Sequence, residues 1–435
     1  MAKSKVDGLP YEVIDDILGK LPAKSMVRFM CVSKALCTNS ITLTTLQILI
    51  RLPAESLVRF MCLSKSWCNL IRNDPSFKAL YTKTNNARQV NPRYLVQQTD
   101  NRQKLKNMSR GELKELGLLE ELEERPVLQF FSLHDGKDLV EYKSFGTQRI
   151  RDPNIRYQKP KIPNSRSEDP GRDVVIGSHN GLFLMGDFHC LFLWNPSINK
   201  VRTIPKDDFP SHWEYMTGGT AVGFCKKDEE DFKVISFGAQ LVDSSNDSQQ
   251  VQEWMVSVYS MSTDSWKEIQ GIYIPGDPYN NNMVTLDGVP HWIATSWEGK
   301  KIIMSFNFDK EEFGHIMFPI PISIEVLGVY KGSLSIFKWC SNVYRDAEGS
   351  SRADYEMWVL REYGDEPIWT KLFLFQQIVY GIPISMGYNG EVFMNKAHKG
   401  KLCRLYDSGE VREFEIHIDK GCIIPYRESL FLLGV

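Results

Sequence analysis

Cysteine pairs are the first candidates for chemistry in this chain of 435 residues, because one spacing occurs twice. Cys31 and Cys37 form one pair and Cys62 and Cys68 form the other, and together they would supply the four thiolates of a structural zinc site. On a helix, however, a step of six residues rotates by about 600°, so the two thiols of a pair point to separate faces. We therefore predict buried structural cysteines, no bound metal and no cofactor.

Other chemistry-bearing groups do not converge in the sequence either. The acidic run at residues 228–231 lacks the alternating ligand spacing of Ca²⁺ loops, so we predict a solvated hairpin turn there. His189 and Cys190 are neighbours on a predicted strand and point to opposite faces, which excludes a dyad. His291 precedes Trp292 and is predicted to be a packed strand residue. Since no nucleophile elbow, zinc-protease helix, Walker loop or dinucleotide fingerprint is present, we expect no enzyme.

The cysteine spacing repeats because a whole segment repeats. Residues 21–34 read LPAKSMVRFMCVSK and residues 52–65 read LPAESLVRFMCLSK, with 11 of 14 positions identical at an offset of 31. Apolar residues in each copy recur with the helical period, and residues 9–18 form another short amphipathic pattern. Because helices of about 10–15 residues are unstable alone in water, we expect them to pack on each other or on a partner.

From about residue 90 the pattern changes to short alternating strands, which predicts a β domain. Strand–turn–strand units start near residues 174, 283, 326 and 384, and apolar strand centres recur every 45–65 residues, as in propeller blades of four strands. Five units are legible, and a sixth would join residues 93–145 to a final strand at 429–435, which removes the sheet edges. Type I′ hairpin turns are predicted at three dipeptides: Asn180-Gly181, Asp287-Gly288 and Asn389-Gly390. Structural roles are predicted for four tryptophans: Trp194, Trp266, Trp292 and Trp358.

A charged, leucine-rich insert at residues 100–126 interrupts the β pattern. Ser109 and Glu112 form a capping-box pattern and Pro126 marks its end, which predicts a helix. Two alternatives stay open for it: a surface helix packed on the body, or a partner-binding helix. The polar, proline-rich residues 158–173 predict a loop.

Composition limits the class of partner and compartment. Net charge is −2, with +5 in residues 1–82 and −7 in the remainder. The helical segment therefore suits an acidic protein partner and not nucleic acid, and an uneven spread of charge without a function is the alternative. The N-terminus has no apolar signal region and no apolar run spans a bilayer, so we expect no membrane association. Nine cysteines without a secretion signal indicate a reducing compartment, the cytoplasm or the nucleus.

The segments LPYEVIDDILGKL (9–21), PAKSMVRFMCVSK (22–34) and SKSWCNLIRNDPSF (64–77) resemble the F-box, especially the plant type. Its hallmarks are divided between the copies: the opening helix lies in the first, and Trp67 with the Asp-Pro-Ser-Phe tail lies in the second. The opening segment of the second copy, ITLTTLQILIR (41–51), is degraded. This resemblance implies docking on a SKP-type adaptor, and through it on cullin and RING subunits. The implied adaptor contacts are Leu9, Pro10, Ile14, Leu18, Leu21, Pro22, Val32, Leu52, Pro53, Leu63, Trp67 and Leu70.

Six further strings resemble, in order, the F-box-associated domain of plant F-box proteins, which is kelch-like. They are GSHNGLFLM, LWNPSINKVRTIP, VGFCKKDEEDFKVISF, VYSMSTDSWKEI, LDGVPHWIA and MWVLREYGDEPIWTKL, and they cover about residues 174–416. The pattern is also similar to the group that includes the S-locus F-box determinants, which implies ribonucleases as one type of target. The resemblance does not identify target-binding residues.

Together these observations predict an α+β multidomain chain: a small helical F-box, partly duplicated, followed by an all-β, propeller-like domain. The predicted boundaries are 1–40 for the first F-box copy, 41–82 for the second, 83–173 for a linker with the first strands and the insert, and 174–435 for the β domain, with 93–145 contributing. The expected function is target capture by a SKP–cullin–F-box ubiquitin ligase. The alternatives are a non-ligase binding propeller with a degenerate F-box, and an enzyme built on a propeller, which would need carboxylates or histidines converging from loops.

Overall fold

Two compact units make up the fold. A computed structural model describes residues 46, 49–62, 65–88, 93–99, 129–136, 138–146, 174–187, 190–206, 217–225, 228–242, 251–277, 283–318, 325–345, 351–364, 366–387, 389–396, 401–418 and 422–431. Unit 1 contains Met1–Arg88, Pro196–Ile198 and Glu428–Val435, and unit 2 contains Gln89–Asn195 and Asn199–Arg427. The first repeat copy, the insert at 100–126 and the loop at 158–173 lie outside the described residues.

The described part of unit 1 contains three helices from the second repeat copy and the residues that follow it. They are α1 (Ala54–Phe60), α2 (Lys65–Asn73) and α3 (Pro75–Arg88). Ahead of α1, the amide of Ile50 donates to the Leu46 carbonyl at 3.0 Å, a helical hydrogen bond. The segment 41–51 therefore ends in a helical turn even though it has no Leu-Pro start.

Unit 2 contains six antiparallel sheets in its described part, and each is a blade. Blade 1 contains β4 (Val174–His179), β5 (Leu182–Asp187), β6 (Cys190–Asn195) and β7 (Lys200–Thr203). Blade 2 contains β8 (Thr217–Cys225), β9 (Asp228–Val242), β10 (Val251–Ser260) and β11 (Ser265–Glu268). Blade 3 contains β12 (Gly276–Asp277), β13 (Met283–Leu286), β14 (Val289–Ser296), β15 (Lys301–Asn307) and β16 (Glu312–Met317).

The remaining blades complete the ring. Blade 4 contains β17 (Glu325–Tyr330), β18 (Ser333–Arg345), β19 (Ser351–Glu362) and β20 (Ile368–Val379). Blade 5 contains β21 (Gly381–Met386), β22 (Val392–Lys396), β23 (Lys401–Leu405) and β24 (Val411–His417). The closing blade contains β1 (Arg93–Thr99), β2 (Gln129–Asp135), β3 (Val140–Gly146) and β25 (Cys422–Tyr426), in the order β25-β1-β2-β3. Strands at one edge of each sheet contact the corresponding strand of the next blade, β4 with β8, β8 with β13, β13 with β17, β17 with β21 and β21 with β25. This arrangement confirms the predicted propeller, with six blades.

The closing strand differs from the sequence-based prediction. We predict residues 429–435 as the last strand, but β25 at Cys422–Tyr426 pairs with β1, with Arg93 opposite Tyr426 and Gln97 opposite Cys422. Within the described residues, 429–431 lie outside any strand and belong to unit 1. Ile423 and Tyr426 of β25 are buried in propeller cores, which is what fixes this register.

Hairpin turns follow the predicted chemistry at two of three positions. Asn180-Gly181 and Asp287-Gly288 have positive φ at both residues, as a type I′ turn requires. At Asn389-Gly390 the Gly390 amide donates to the Gly387 carbonyl at 3.2 Å, so the turn is centred one residue earlier and the prediction of a type I′ turn at this dipeptide is wrong. The Asn389 amide instead donates to the Glu391 carboxylate at 2.9 Å, within a longer loop.

Candidate functional site

The start of α3 explains the Asp-Pro-Ser-Phe tail in physical terms. Asp74 caps the helix, because its Oδ1 accepts a hydrogen bond from the Phe77 amide at 3.0 Å. Pro75 occupies the first helical position, where a missing amide hydrogen costs nothing. The Phe77 side chain is buried in the core of the helical unit. The tail is therefore a helix start combined with an anchor residue.

Aromatic rings join the three helices. The Phe60 ring of α1 lies 5.5 Å from the Trp67 ring of α2, measured between centroids, and Phe77 and Tyr81 of α3 are 6.5 Å apart. Ile71 of α2 is buried in the same core. The apolar stripe seen in the sequence thus faces inward, and it makes one core from three short helices that would not be stable singly.

Residues from the far end of the chain complete this core. Glu428 Oε2 accepts a hydrogen bond from the Ala54 amide at 3.3 Å, and the Tyr81 hydroxyl lies 3.3 Å from the same oxygen. Leu430 is 1% exposed and packs in the helical core. The Ser429 amide donates to Ser197 Oγ at 3.1 Å. Because α1 has no side-chain cap of its own, Glu428 supplies the acceptor at its first amide. No pattern in the sequence pointed to Glu428 or Leu430.

The predicted adaptor contacts fall into three groups in the structure. Leu52, Trp67 and Leu70 are buried inside the helical unit, so in this conformation they support its surface without being exposed on it. Pro53 is exposed at the start of α1. The remaining predicted contacts lie outside the described residues and stay predictions: Leu9, Pro10, Ile14, Leu18, Leu21, Pro22, Val32 and Leu63.

The outward face of the described helices carries some accessible apolar side chains. Val58 and Met61 are partly buried along α1 and its end, and Leu80 of α3 is exposed. Residues 46–88 also contain seven Lys and Arg against two Asp and Glu. Apolar side chains within a basic surface suit a partner that is apolar and acidic at its contact.

A cavity of about 390 Å³ opens among the strands through which successive blades contact one another. It is lined by residues of β4, β13, β17, β21 and β25 and by the segments that follow them. His179 and Arg427 are two of its polar residues. Burial first, and the nearby Arg427 charge second, lower the pKa of His179 to about 3, so this imidazole is neutral at physiological pH.

Acidification is expected to destabilise the propeller through its buried histidines. Burial lowers the pKa of His291 to about 4, and that of His179 is about 3, against an ordinary value of 6.5. The unfolded chain therefore binds more protons below pH 6.5, so stability falls as pH falls toward 4 and does not change above 6.5. At pH 5 each histidine accounts for at most about 2 kcal/mol. Urea unfolding at pH 7 and pH 5 measures this difference.

The variant His291→Gln is expected to reduce that difference, and His315→Gln, an exposed residue of the same blade, is the matched control. An unchanged difference between pH 7 and pH 5 in His291→Gln would contradict the assignment.

The remaining chemical candidates have structural explanations. The acidic run at 228–231 begins strand β9 and is not a hairpin turn as predicted. Its buried Asp231 accepts hydrogen bonds from Ser260 Oγ at 2.7 Å and from the Ser262 amide at 2.8 Å, and so orders the β10–β11 turn. Cys62 is exposed and Cys68 is partly exposed, so burial of this pair was wrongly predicted. In the described part of the chain, no group of three or more metal-ligating side chains assembles.

The four predicted structural tryptophans make packing contacts or hydrogen bonds in the propeller. Trp194 and Trp292 are buried, and His291 is buried beside the latter on β14. The indoles of Trp266 and Trp358 are partly exposed and donate hydrogen bonds, to the Pro205 carbonyl at 2.7 Å and to Glu356 Oε2 at 3.0 Å. Across the described ranges, no helix has both the length and the apolar character needed to cross a bilayer.

Comparisons with known proteins match both units. The family described as the F-box associated beta propeller domain matches residues 146–424, and the F-box domain matches residues 6–38 and 45–79. Relatives from Arabidopsis thaliana include an F-box/kelch-repeat protein, 23% identical over 214 residues, which are 46% of this chain and 53% of that protein. The F-box protein CPR1 is 25% identical over 234 residues, which are 48% of this chain and 53% of that protein. The chain spans about half the length of the curated relatives it matches.

Proposed function

Because the chain belongs to the F-box proteins with an associated β-propeller domain, we propose that it is the substrate-recognition subunit of a SKP–cullin–F-box ubiquitin ligase. One observation carries this proposal: F-box matches and a propeller match lie in one chain, and the matches that fall on described residues coincide with compact folds. The F-box match at 45–79 covers α1, α2 and the start of α3. The propeller match covers blades 1–5 completely and, in the closing blade, only the end of β3 and the start of β25.

In the proposed mechanism the helical unit docks on a SKP-type adaptor, which links it to cullin and RING subunits. The propeller binds a target protein. No chemical step is assigned to this chain. Holding a target lysine near a ubiquitin-charged enzyme raises its effective concentration, and this proximity is the contribution to the reaction.

The proposed docking surface combines the basic outward face of the described helices with the predicted contacts of the first copy. Pro53, Val58 and Met61 are accessible or partly accessible along α1. Leu52, Trp67 and Leu70 would act by holding the helices in place, since they are buried. Truncating a buried residue of this kind lowers affinity by deforming the surface and not by removing a direct contact.

A second candidate function is target binding without a ligase. The duplication favours it, because the opening helix of the first copy and the tryptophan and tail of the second copy are separated along the chain. If the split prevents docking, the propeller remains a protein-binding module.

Adaptor binding by purified full-length protein tests the proposal. We expect the full chain to bind a SKP-type adaptor, and a form lacking residues 41–80 to bind roughly 100-fold more weakly or not at all, since α1, α2 and the core of the unit are removed. A form that begins at residue 41 separates the two copies: loss of binding assigns the opening helix to residues 9–18, and retained binding assigns it to the turn at 46–50. Absence of binding by the full chain would favour the second candidate.

A further inference from the structure

A second cavity, of about 660 Å³, lies between blade 3 and the turn that joins β19 to β20 in blade 4. We name it the inter-blade slot. One wall is a row across three paired strands of blade 3: His291 is opposite Ser305, and Ser305 is opposite Gly314. Tyr363, in the turn of blade 4, also lines the cavity.

The slot exists because small and polar residues replace the apolar packing between these blades. A second row runs parallel to the row of the slot and is offset from it by two residues along each strand. It consists of Ile293, Ile303 and Ile316, which pack in the core shared with blade 4. In the row of the slot, Gly314 has no side chain, and a Cβ there would lie 2.9 Å from Ser305 Oγ. The space is therefore created by the small and polar residues of blade 3 and is not a consequence of loose packing.

Polar groups converge on this space. The Tyr363 hydroxyl is hydrogen-bonded to His291 Nε2, and the Tyr363 side chain is 55% exposed. His291 is 2% exposed, and a hydrogen bond to the Val289 backbone raises its pKa against the larger, opposite effect of burial. The imidazole is therefore held between the strand backbone and the Tyr363 hydroxyl, and it fixes the tyrosine at the edge of the slot.

The charges that line the slot are negative. Asp287 and Glu312 are lining residues, and no lysine or arginine is among the described residues that line it. Burial first and the Asp287 carboxylate second raise the pKa of Tyr363. Glu312 has an exposed partner, Lys310 at 3.3 Å, which contributes little because both ends are in solvent. The slot thus presents two carboxylates and an aromatic ring.

We propose that the inter-blade slot binds an arginine side chain of the target protein. A guanidinium group is planar, donates five hydrogen bonds in fixed directions and stacks on aromatic rings, so it matches two carboxylates beside an accessible tyrosine. Contact with the Tyr363 ring would add cation–π attraction. This proposal rests on the proposed function, in which the propeller binds a target protein. It adds that the target protein has an exposed arginine.

Blocked arginine is the probe that tests the slot. Binding of N-acetyl-arginine amide to the full-length protein is measured by NMR titration, with the citrulline analogue as a neutral ligand of the same shape. We expect the arginine derivative to bind and the citrulline derivative to bind at least about tenfold more weakly. Equal binding of both ligands, or no binding of arginine, would overturn the proposal.

Variants then locate the binding. Asp287→Asn combined with Glu312→Gln is expected to weaken arginine binding at least about tenfold, because both acceptor charges are removed. Glu298→Gln removes an exposed carboxylate of the same blade outside the slot and should change nothing. If the double variant binds arginine as tightly as the wild type does, the slot is not the site. Both changes are at exposed positions, so thermal unfolding should confirm an intact fold.

Adaptor binding by the same proteins separates this inference from the proposed function. The double variant should bind the SKP-type adaptor as the wild type does. If the wild-type protein binds the adaptor but does not bind arginine, only the inference about the slot is rejected and the proposed function stands. Selective arginine binding in a protein that never binds the adaptor would support the slot and reject the ligase.

Discussion

Deletion of residues 428–435 is expected to abolish docking on a SKP-type adaptor, although these residues are far from the helices in sequence. Glu428 is 347 positions from Tyr81 and 374 from Ala54, and it contacts both. Leu430 fills the helical core. Removing the segment leaves the first amide of α1 without its acceptor and opens a cavity among three short helices, which have little stability of their own. Hydrogen exchange of α1–α3 and adaptor affinity measure the effect.

Point substitutions make this prediction specific. Leu430→Ala is expected to lower the free energy of unfolding of the helical unit by about 2–5 kcal/mol, because a fully buried leucine is replaced by a cavity. Leu374→Ala makes the same chemical change at a site that is 52% exposed, and should cost less than about 0.5 kcal/mol. Unchanged exchange of α1–α3 in Leu430→Ala would show that the C-terminal segment does not support the helices.

Trp194→Ala is expected to have the second large effect, on the seam where the propeller closes. Trp194 is 1% exposed, and its ring lies 4.8 Å from Phe145, 5.6 Å from Phe131 and 6.1 Å from Phe183, measured between centroids. Phe131 and Phe145 belong to the closing blade, and Phe183 belongs to blade 1. Loss of this ring should cost about 3–5 kcal/mol and should make unit 2 sensitive to protease.

An exposed tryptophan is the control for that experiment. Trp297 is 49% exposed, contacts Trp254 and donates a hydrogen bond to the Ile274 carbonyl at 2.7 Å. Trp297→Ala should therefore cost about 1 kcal/mol. Urea unfolding of both variants gives the comparison. Equal costs would mean that the aromatic cluster around Trp194 does not stabilise the closure.

Much of the fold was predictable because its signals are local. The helical period of residues 52–71, the Asp-Pro-Ser-Phe start of α3 and the turns at 180–181 and 287–288 each depend on a few neighbouring residues. Four-stranded blades follow from the spacing of such local units. The strand–turn–strand unit that starts near residue 326 was predicted as well, but the positive φ of both Lys331 and Gly332 in its turn was not, because lysine is an unusual residue there.

Two of the errors, the closing strand and the acidic run, share one cause, which is pairing between distant parts of the chain. Two neighbouring segments are apolar in sequence, Cys422–Tyr426 and residues 429–435. The pairing of the first with β1 makes it the closing strand, whereas Leu430 of the second packs in the helical core. The acidic run at 228–231 read as a turn because its hydrogen-bond partners, Ser260 and Ser262, lie some thirty positions away.

By itself the sequence determined the two kinds of module, their order, the blade repeat and the F-box motifs, because helical period, turn chemistry and repeat spacing are encoded in short stretches. Tertiary structure alone decided that Glu428 and Leu430 complete the helical unit, that β25 closes the ring, and that His291, Ser305, Gly314 and Tyr363 surround one cavity. These features arise where strands and helices meet across long sequence separations. Their energies depend on burial and on hydrogen-bond partners that no local pattern specifies.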